Sequence, residues 1–158
     1  MVIEDYNNVV KTSDYITKNF QLREFKVSAS FPELASKIKF TNQDLMVIEI
    51  LCLRVLQPVR DKFGSLKILS GKRNELLNEK VKGSPTSDHL TANACDFTPI
   101  SGVTTDLVFD WIVEESGIDF RQIIYYTDEN FIHVSCNVPF KTRRNDRFVK
   151  ENGVLTKI

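Results

Sequence analysis

Apolar positions recur at helical spacing across residues 41–64, where Leu45, Ile48, Cys52, Val55 and Val59 fall on one stripe. Met46, Val47, Ile50, Leu51 and Leu56 widen that stripe, so the pattern predicts a central helix covered on several sides. Thr41-Asn-Gln-Asp supplies a cap, Pro58 is expected to kink the last turn, and Gly64 is expected to end it. Residues 1–40 mix short polar and apolar pieces. Their Phe31-Pro32 pair is expected to stop a helix from running through, and the segment reads as a loosely structured N-terminal arm packed on the domain.

From Leu66 onward the period shortens. LKILS and NACDFTP read as strands, with a polar helix-like NELLNEKV and a turn-rich KGSPTSD between them. A second helix is expected over residues 105–115, with Leu107, Val108, Trp111 and Ile112 on one face and Gly117 as its stop. RQIIYYT and NFIHVSC follow as two apolar strands joined by an acidic turn. Helices on one side of a small, mostly antiparallel sheet make the expected class α+β. The expected division is an arm over 1–40, a core over 41–136 and a basic C-terminal tail over 137–158.

Composition narrows the function. In 158 residues, 21 Lys plus Arg balance 21 Asp plus Glu, which argues against a protein built to neutralise phosphates and makes a nucleic-acid role unlikely. The last 22 residues hold six Lys or Arg against two acids, so the zero is a sum over an acidic-leaning body and a basic end. No apolar run is long enough to span a bilayer, and MVIEDYNNVV lacks a basic segment followed by an apolar one, so no membrane span and no secretion signal are expected. Three Cys at irregular spacing fit a reducing cytoplasm rather than a disulfide framework.

Only two histidines are present, His89 in SDHLTANACDF and His133 in NFIHVSC, with Asp96 seven residues beyond the first. Two imidazoles and a carboxylate are a common ligand set for a catalytic zinc with an open fourth position, although two histidines satisfied within a core would read the same way. Strand alternation points Ala94, Asp96 and Thr98 one way and Cys95 the other. It also groups His133 with Ser135 and turns Cys136 away, so Cys95, Cys136 and the helical Cys52 are expected in the core.

The wider wording resembles the zinc peptidase superfamily of D-alanyl-D-alanine carboxypeptidases, L-alanyl-D-glutamate endolysins and the Hedgehog signalling domain, and within it the short phage and bacterial members. Ser-Gly-x-Arg, Ser-x-His, an Asp seven residues past that His, and a late Ile-His-Val-Ser carry the resemblance, which extends from about Phe20 to Cys136. It implies the Hedgehog/D-Ala-D-Ala peptidase-like fold and one Zn²⁺ held by His89, Asp96 and His133. It implies further that Arg73 faces the substrate, holding a carboxylate or polarising the scissile carbonyl, and that Ser87 lies beside the metal.

Two departures from the family pattern stand out. The general base is a Glu six residues before the last His in one branch and an acid three residues before it in another, and here those positions are Thr127 and Asn130. Asp128 and Glu129 share the turn, and a one-residue bulge would bring either to the site as the catalytic base. Asn93 stands where the family usually has Gly, which makes the loop entering that strand less permissive, although Asn tolerates left-handed backbone better than most residues.

The resemblance thus implies a zinc metallopeptidase, a hydrolase cutting peptidoglycan stem peptides as a carboxypeptidase or endolysin. Its origin would be phage or prophage. It would be made in the host cytoplasm and act at the cell wall or in a phage particle beside other virion proteins. The alternative is a catalytically lapsed zinc-binding module serving as a wall-binding or virion structural component.

Overall fold

The computed structural model describes residues 14–158. The first thirteen residues of the expected arm lie outside the described residues.

A 3-10 turn at Leu22–Phe25 is the first helical element among the described residues and is followed by α1 (Pro32–Ser36). Phe20, Leu22 and Phe25 are buried in the main core, so this segment is part of the fold rather than loose. The Phe31-Pro32 pair starts a helix. Proline at the first helical position gives up an N–H that has no intrahelical partner anyway.

The central helix forms as α2 (Asn42–Leu51), a π-helical stretch (Cys52–Leu56) and α3 (Gln57–Phe63). Its cap is the expected one: Thr41 Oγ1 accepts from the Asp44 N–H at 3.0 Å, and Asp44 Oδ2 accepts from the Thr41 N–H at 2.9 Å. The irregularity anticipated at Pro58 takes the form of the wide turn just before it. Proline cannot bond back to the carbonyl four residues earlier, and a π-helical register relieves that conflict.

β1 (Leu66–Ser70), α4 (Glu75–Lys80), β2 (Ala94–Pro99), α5 (Thr105–Glu114), β3 (Phe120–Tyr126) and β4 (Phe131–Cys136) follow close to their expected positions. The residues expected as a basic tail carry two more strands, β5 (Asp146–Glu151) and β6 (Val154–Lys157). The six-stranded sheet runs β1-β2-β4-β3-β5-β6, antiparallel throughout except for the parallel β3–β5 pair. Charge is what marks this stretch in the sequence, yet its backbone pairs with β3 from Gln122↔Asp146 to Tyr126↔Lys150.

One face of the sheet buries Cys95, Phe97, Ile123, Ile132, Val134 and Cys136 against the helices. Cys52, Cys95 and Cys136 are free thiols inside this core, as alternation anticipated. The opposite face carries the site. Two bulges adjust that face: β1 pairs Ile68 with Phe97 but Ser70 with Asp96, and β3 pairs Phe120 with Cys136 but Gln122 with Ser135. Each inserts one residue, so Ser70 turns toward Asp96, and Arg121 joins Gln122 on the site's face. No helix among the described residues is long and apolar enough to cross a membrane.

Candidate metal centre

Asp96 and His133 are directly opposite one another on β2 and β4, so the ladder itself brings a carboxylate and an imidazole together. His89 arrives from a 3-10 turn, Asp88–Thr91, which Ser87 caps by accepting the His89 N–H at 3.3 Å. His133 Nδ1 lies 2.8 Å and His89 Nε2 3.2 Å from Asp96 Oδ1, and the two ring nitrogens are 3.2 Å apart. All three residues are buried. Within the described residues this is the cluster of His, Cys, Asp and Glu whose donor atoms converge, all within 4.8 Å of one another.

The tautomer of His89 follows from its other neighbour. Its Nδ1 is 2.7 Å from the Gly71 carbonyl oxygen, which only accepts, so Nδ1 carries the proton. In the neutral ring Nε2 then presents a lone pair to the Asp96 carboxylate. Acceptors so placed repel one another unless a cation sits among them. A tetrahedral ion with bonds of about 2.0–2.1 Å sets its donors roughly 3.3 Å apart, close to the spacings here. The donor set therefore fits Zn²⁺, with the Gly71 carbonyl as the outer partner that orients one ligand.

The electrostatics agree. Burial pushes His89 below the ordinary imidazole value, which favours the neutral form that ligates a metal. Burial alone would raise the Asp96 carboxyl, but the two imidazoles against it outweigh burial and hold it well below the carboxylate range, so Asp96 enters the set as the anion.

The surrounding loops are tightly braced. Arg73 donates its backbone N–H to the His89 carbonyl at 2.9 Å. Its guanidinium lies 3.5 Å from Asp96 Oδ2 and 3.4 Å from both Ser70 Oγ and Asn78 Oδ1, while its buried Nε has no partner. Burial lowers the Arg73 pKa, against the pull of Asp96, yet the guanidinium remains a cation at neutral pH. Lys72 Nζ donates to Asp44 Oδ1 at 3.0 Å and to the Leu90 carbonyl at 2.6 Å, fastening the His89 turn to the start of α2. Asp88 accepts from Arg121 Nε at 3.2 and 3.3 Å and from Lys141 Nζ at 2.6 Å, fastening the same turn to β3 and to the loop that follows β4.

These groups open onto a cleft of about 470 Å³ whose wall includes Arg73, Ser87, His89, Asp96, Tyr126 and His133. The structure thus brings five of the expected residues together. It does not bring in the acids of the β3–β4 turn. Asp128 and Glu129 are exposed and absent from the cleft wall, and Asp128 Oδ2 accepts the Asn152 N–H at 2.7 Å, capping the β5–β6 turn. The turn closes tightly because Asn130 takes a left-handed conformation (φ 58°), so no bulge swings either acid inward. Thr127 gives both its N–H and its hydroxyl to the Lys150 carbonyl, at 3.0 and 3.1 Å.

At the loop entering β2, the left-handed residue is Ala92 (φ 63°) rather than Asn93. Asn93 is fully buried and donates its side-chain amide to the Cys136 carbonyl at 3.1 Å, tying that loop to the end of β4.

Tyr126, Arg144 and Lys150 were missed as cleft residues. Period-two alternation groups Tyr126 with Ile124, but that this face is shared with His133 depends on register, which short-range pattern does not carry. The model of the peptidase M15 family matches residues 18–135. No curated protein matches the chain.

Proposed function

The chain belongs to the peptidase M15 family, and from that premise we propose that it cuts peptidoglycan stem peptides as a zinc-dependent carboxypeptidase or endolysin of phage or prophage origin. The observation that carries this reading is the triangle of His89 Nε2, His133 Nδ1 and Asp96 Oδ1, set in a cleft beside a buried arginine. Zinc bound there would supply Lewis acidity toward a carbonyl oxygen.

The chain's own side chains do the rest. His89 and His133 contribute neutral donors and Asp96 one negative charge, which leaves the loaded site electrophilic. Arg73 steadies a substrate carboxylate or the charge that grows on the carbonyl oxygen, and its unpartnered Nε–H leaves donor capacity for that task. Burial, and then the charge of Asp96, raise the Tyr126 pKa, so its phenol stays protonated and donates from the cleft wall. Ser87 Oγ accepts from the His89 N–H and keeps its own proton for a peptide carbonyl. For the proton acceptor we assign Glu129, which has to swing in from its exposed place in the β3–β4 turn, because Asp128 is committed to Asn152. Action at the cell wall or in a phage particle, beside other virion proteins, belongs to the same proposal.

The second reading is a zinc-holding module with little or no turnover, serving as a wall-binding or virion structural component. It is favoured by one observation: the acids of the cleft wall are Asp88 and Asp96, and both are engaged. Digestion of purified sacculi separates the two readings. The zinc-loaded wild type is expected to release peptide ends, and Glu129→Ala is expected to slow that release by about 10²–10⁴-fold. One equivalent of zinc with no released ends would overturn the enzyme reading in favour of the module.

A further inference from the structure

The cleft wall is unevenly charged. Its cations are Arg73, Lys82, Arg121, Arg144 and Lys150, against the carboxylates of Asp88 and Asp96. Arg121 is consumed by Asp88 and Arg73 leans on Asp96. Lys82, Arg144 and Lys150 form no ion pair among the described residues, so the cleft carries cationic charge that nothing in the fold neutralises. A concave wall of one sign concentrates ligands of the other.

Two of these cations stand on pinned backbone. The Arg144 N–H donates to Asn137 Oδ1 at 3.0 Å, and its carbonyl accepts from Asn137 Nδ2 at 3.0 Å, which fixes where the side chain leaves the rim. The Lys150 carbonyl takes both bonds from Thr127, and its Nζ rests 5.3 Å from the centroid of the cleft-lining Tyr126 ring. Ordered backbone lowers the entropy lost when a long cation closes on a ligand. Both residues lie in 137–158, beyond the residues the family model covers, Arg144 in the loop before β5 and Lys150 on β5.

We propose that Arg144 and Lys150 form a carboxylate-binding subsite, separate from Arg73, that selects stem peptides bearing a free carboxylate away from the scissile bond. The inference rests on the peptidase reading above. A peptide carboxylate is the occupant the geometry favours, because the cations line the same cleft as the ligand triangle rather than an open surface track suited to a wall polymer.

The test uses the zinc-loaded full chain and a fluorescent pentapeptide, L-Ala-γ-D-Glu-L-Lys-D-Ala-D-Ala, compared with the same peptide amidated at the D-Glu α-carboxylate. Wild type is expected to bind the acid about tenfold more tightly than the amide, a gap typical of one charge-assisted contact. In the double variant Arg144→Gln, Lys150→Gln that ratio is expected to fall to about one, with circular dichroism confirming the fold. An equal ratio in wild type, or a ratio that survives the double substitution, would overturn the subsite. So would a soluble poly(glycerol phosphate) that binds more tightly than either peptide and is lost in the double variant, since it would assign the cations to a wall polymer. Sacculi left intact by the zinc-loaded wild type would count against the peptidase reading alone, and the acid-to-amide ratio would still decide the subsite.

Discussion

The Gly71 carbonyl stands 2.7 Å from His89 Nδ1, and Gly71 itself is pressed against Phe25 so closely that a Cβ would lie 2.4 Å from the Phe25 carbonyl oxygen. The metal centre is therefore oriented by a backbone contact between the N-terminal segment and the loop after β1. That contact is reinforced by the Lys72 N–H donating to the Phe25 carbonyl at 3.0 Å.

Gly71→Ala should consequently damage the site without touching a ligand. The neighbour at 2.4 Å is backbone, so it cannot swing aside as a side chain would, and the carbonyl that holds His89 must move. Loss of such an outer partner typically costs about 10–100-fold in metal affinity. Competition with a zinc chelator should show that loss, and calorimetry should show a lowered melting temperature. Wild-type affinity in the variant would mean that Gly71 does not orient His89.

Asp88 gathers Arg121 and Lys141 behind the His89 turn, with side chains all less than a fifth exposed. Asp88→Asn would leave two cations short of their counter-charge, and the expected loss is about 3 kcal/mol, the lower end for a broken buried pair. Urea denaturation measures it. The pH dependence has a definite sign. Burial opposes the Asp88 charge, but Lys141 and Arg121 together hold its pKa below the ordinary value in the folded state. Its contribution is thus present above the unfolded value, about 3.9, and disappears as pH falls through the depressed folded value. The stability gap between wild type and Asp88→Asn should be full at neutral pH and close only in strong acid.

The three thiols offer an independent check on the core. Burial pushes Cys136 up to about 12 and raises Cys52 and Cys95 well above the usual thiol value. Thiolate is the reactive form, so iodoacetamide at pH 8 should leave the native chain unlabelled and modify all three cysteines in denaturant, as mass spectrometry would count. Because the folded values are raised, stability should fall as pH climbs from the unfolded value of about 8.5 toward 12. Rapid labelling of Cys95 or Cys136 in the native chain would contradict the packing of the sheet's inner face.

Much of this fold follows from periodicity. The alternation of Cys95 with Asp96 and of His133 with Val134 separates core from site correctly, and the cap at Thr41 is visible in four residues. What escapes a local reading is long-range. The bulge that turns Ser70 to Asp96 leaves no mark in LKILS, and the need for glycine at position 71 comes from Phe25, far away in the chain. β5 pairs in parallel with β3 across an intervening strand, and DRFVKE is too polar to announce itself as sheet. The charge of the last residues was legible; that Arg144 and Lys150 face the metal cleft was not.

Thr127 occupies the position where the resemblance places a catalytic glutamate, and its hydroxyl is spent on the Lys150 carbonyl at 3.1 Å. Thr127→Glu removes that bond but keeps the backbone N–H bond to the same carbonyl, so β5 should stay paired and the cost should be about 1 kcal/mol. Because Glu129 has to swing in from the exposed turn, a carboxylate held at position 127 should raise the rate of peptide release from sacculi by about 10-fold or more over wild type. The added negative charge also lies close to Lys150, whose ammonium is unpaired, and pairing between the two would hold the new side chain on the cleft side of the strand. Combining Thr127→Glu with Lys150→Gln tests that coupling. If Lys150 positions the new base, the double variant should lose most of the gain while retaining one equivalent of zinc. If the gain persists, the glutamate finds the site unaided. No gain in a folded, zinc-binding Thr127→Glu chain would show that a carboxylate at this position is not what limits turnover.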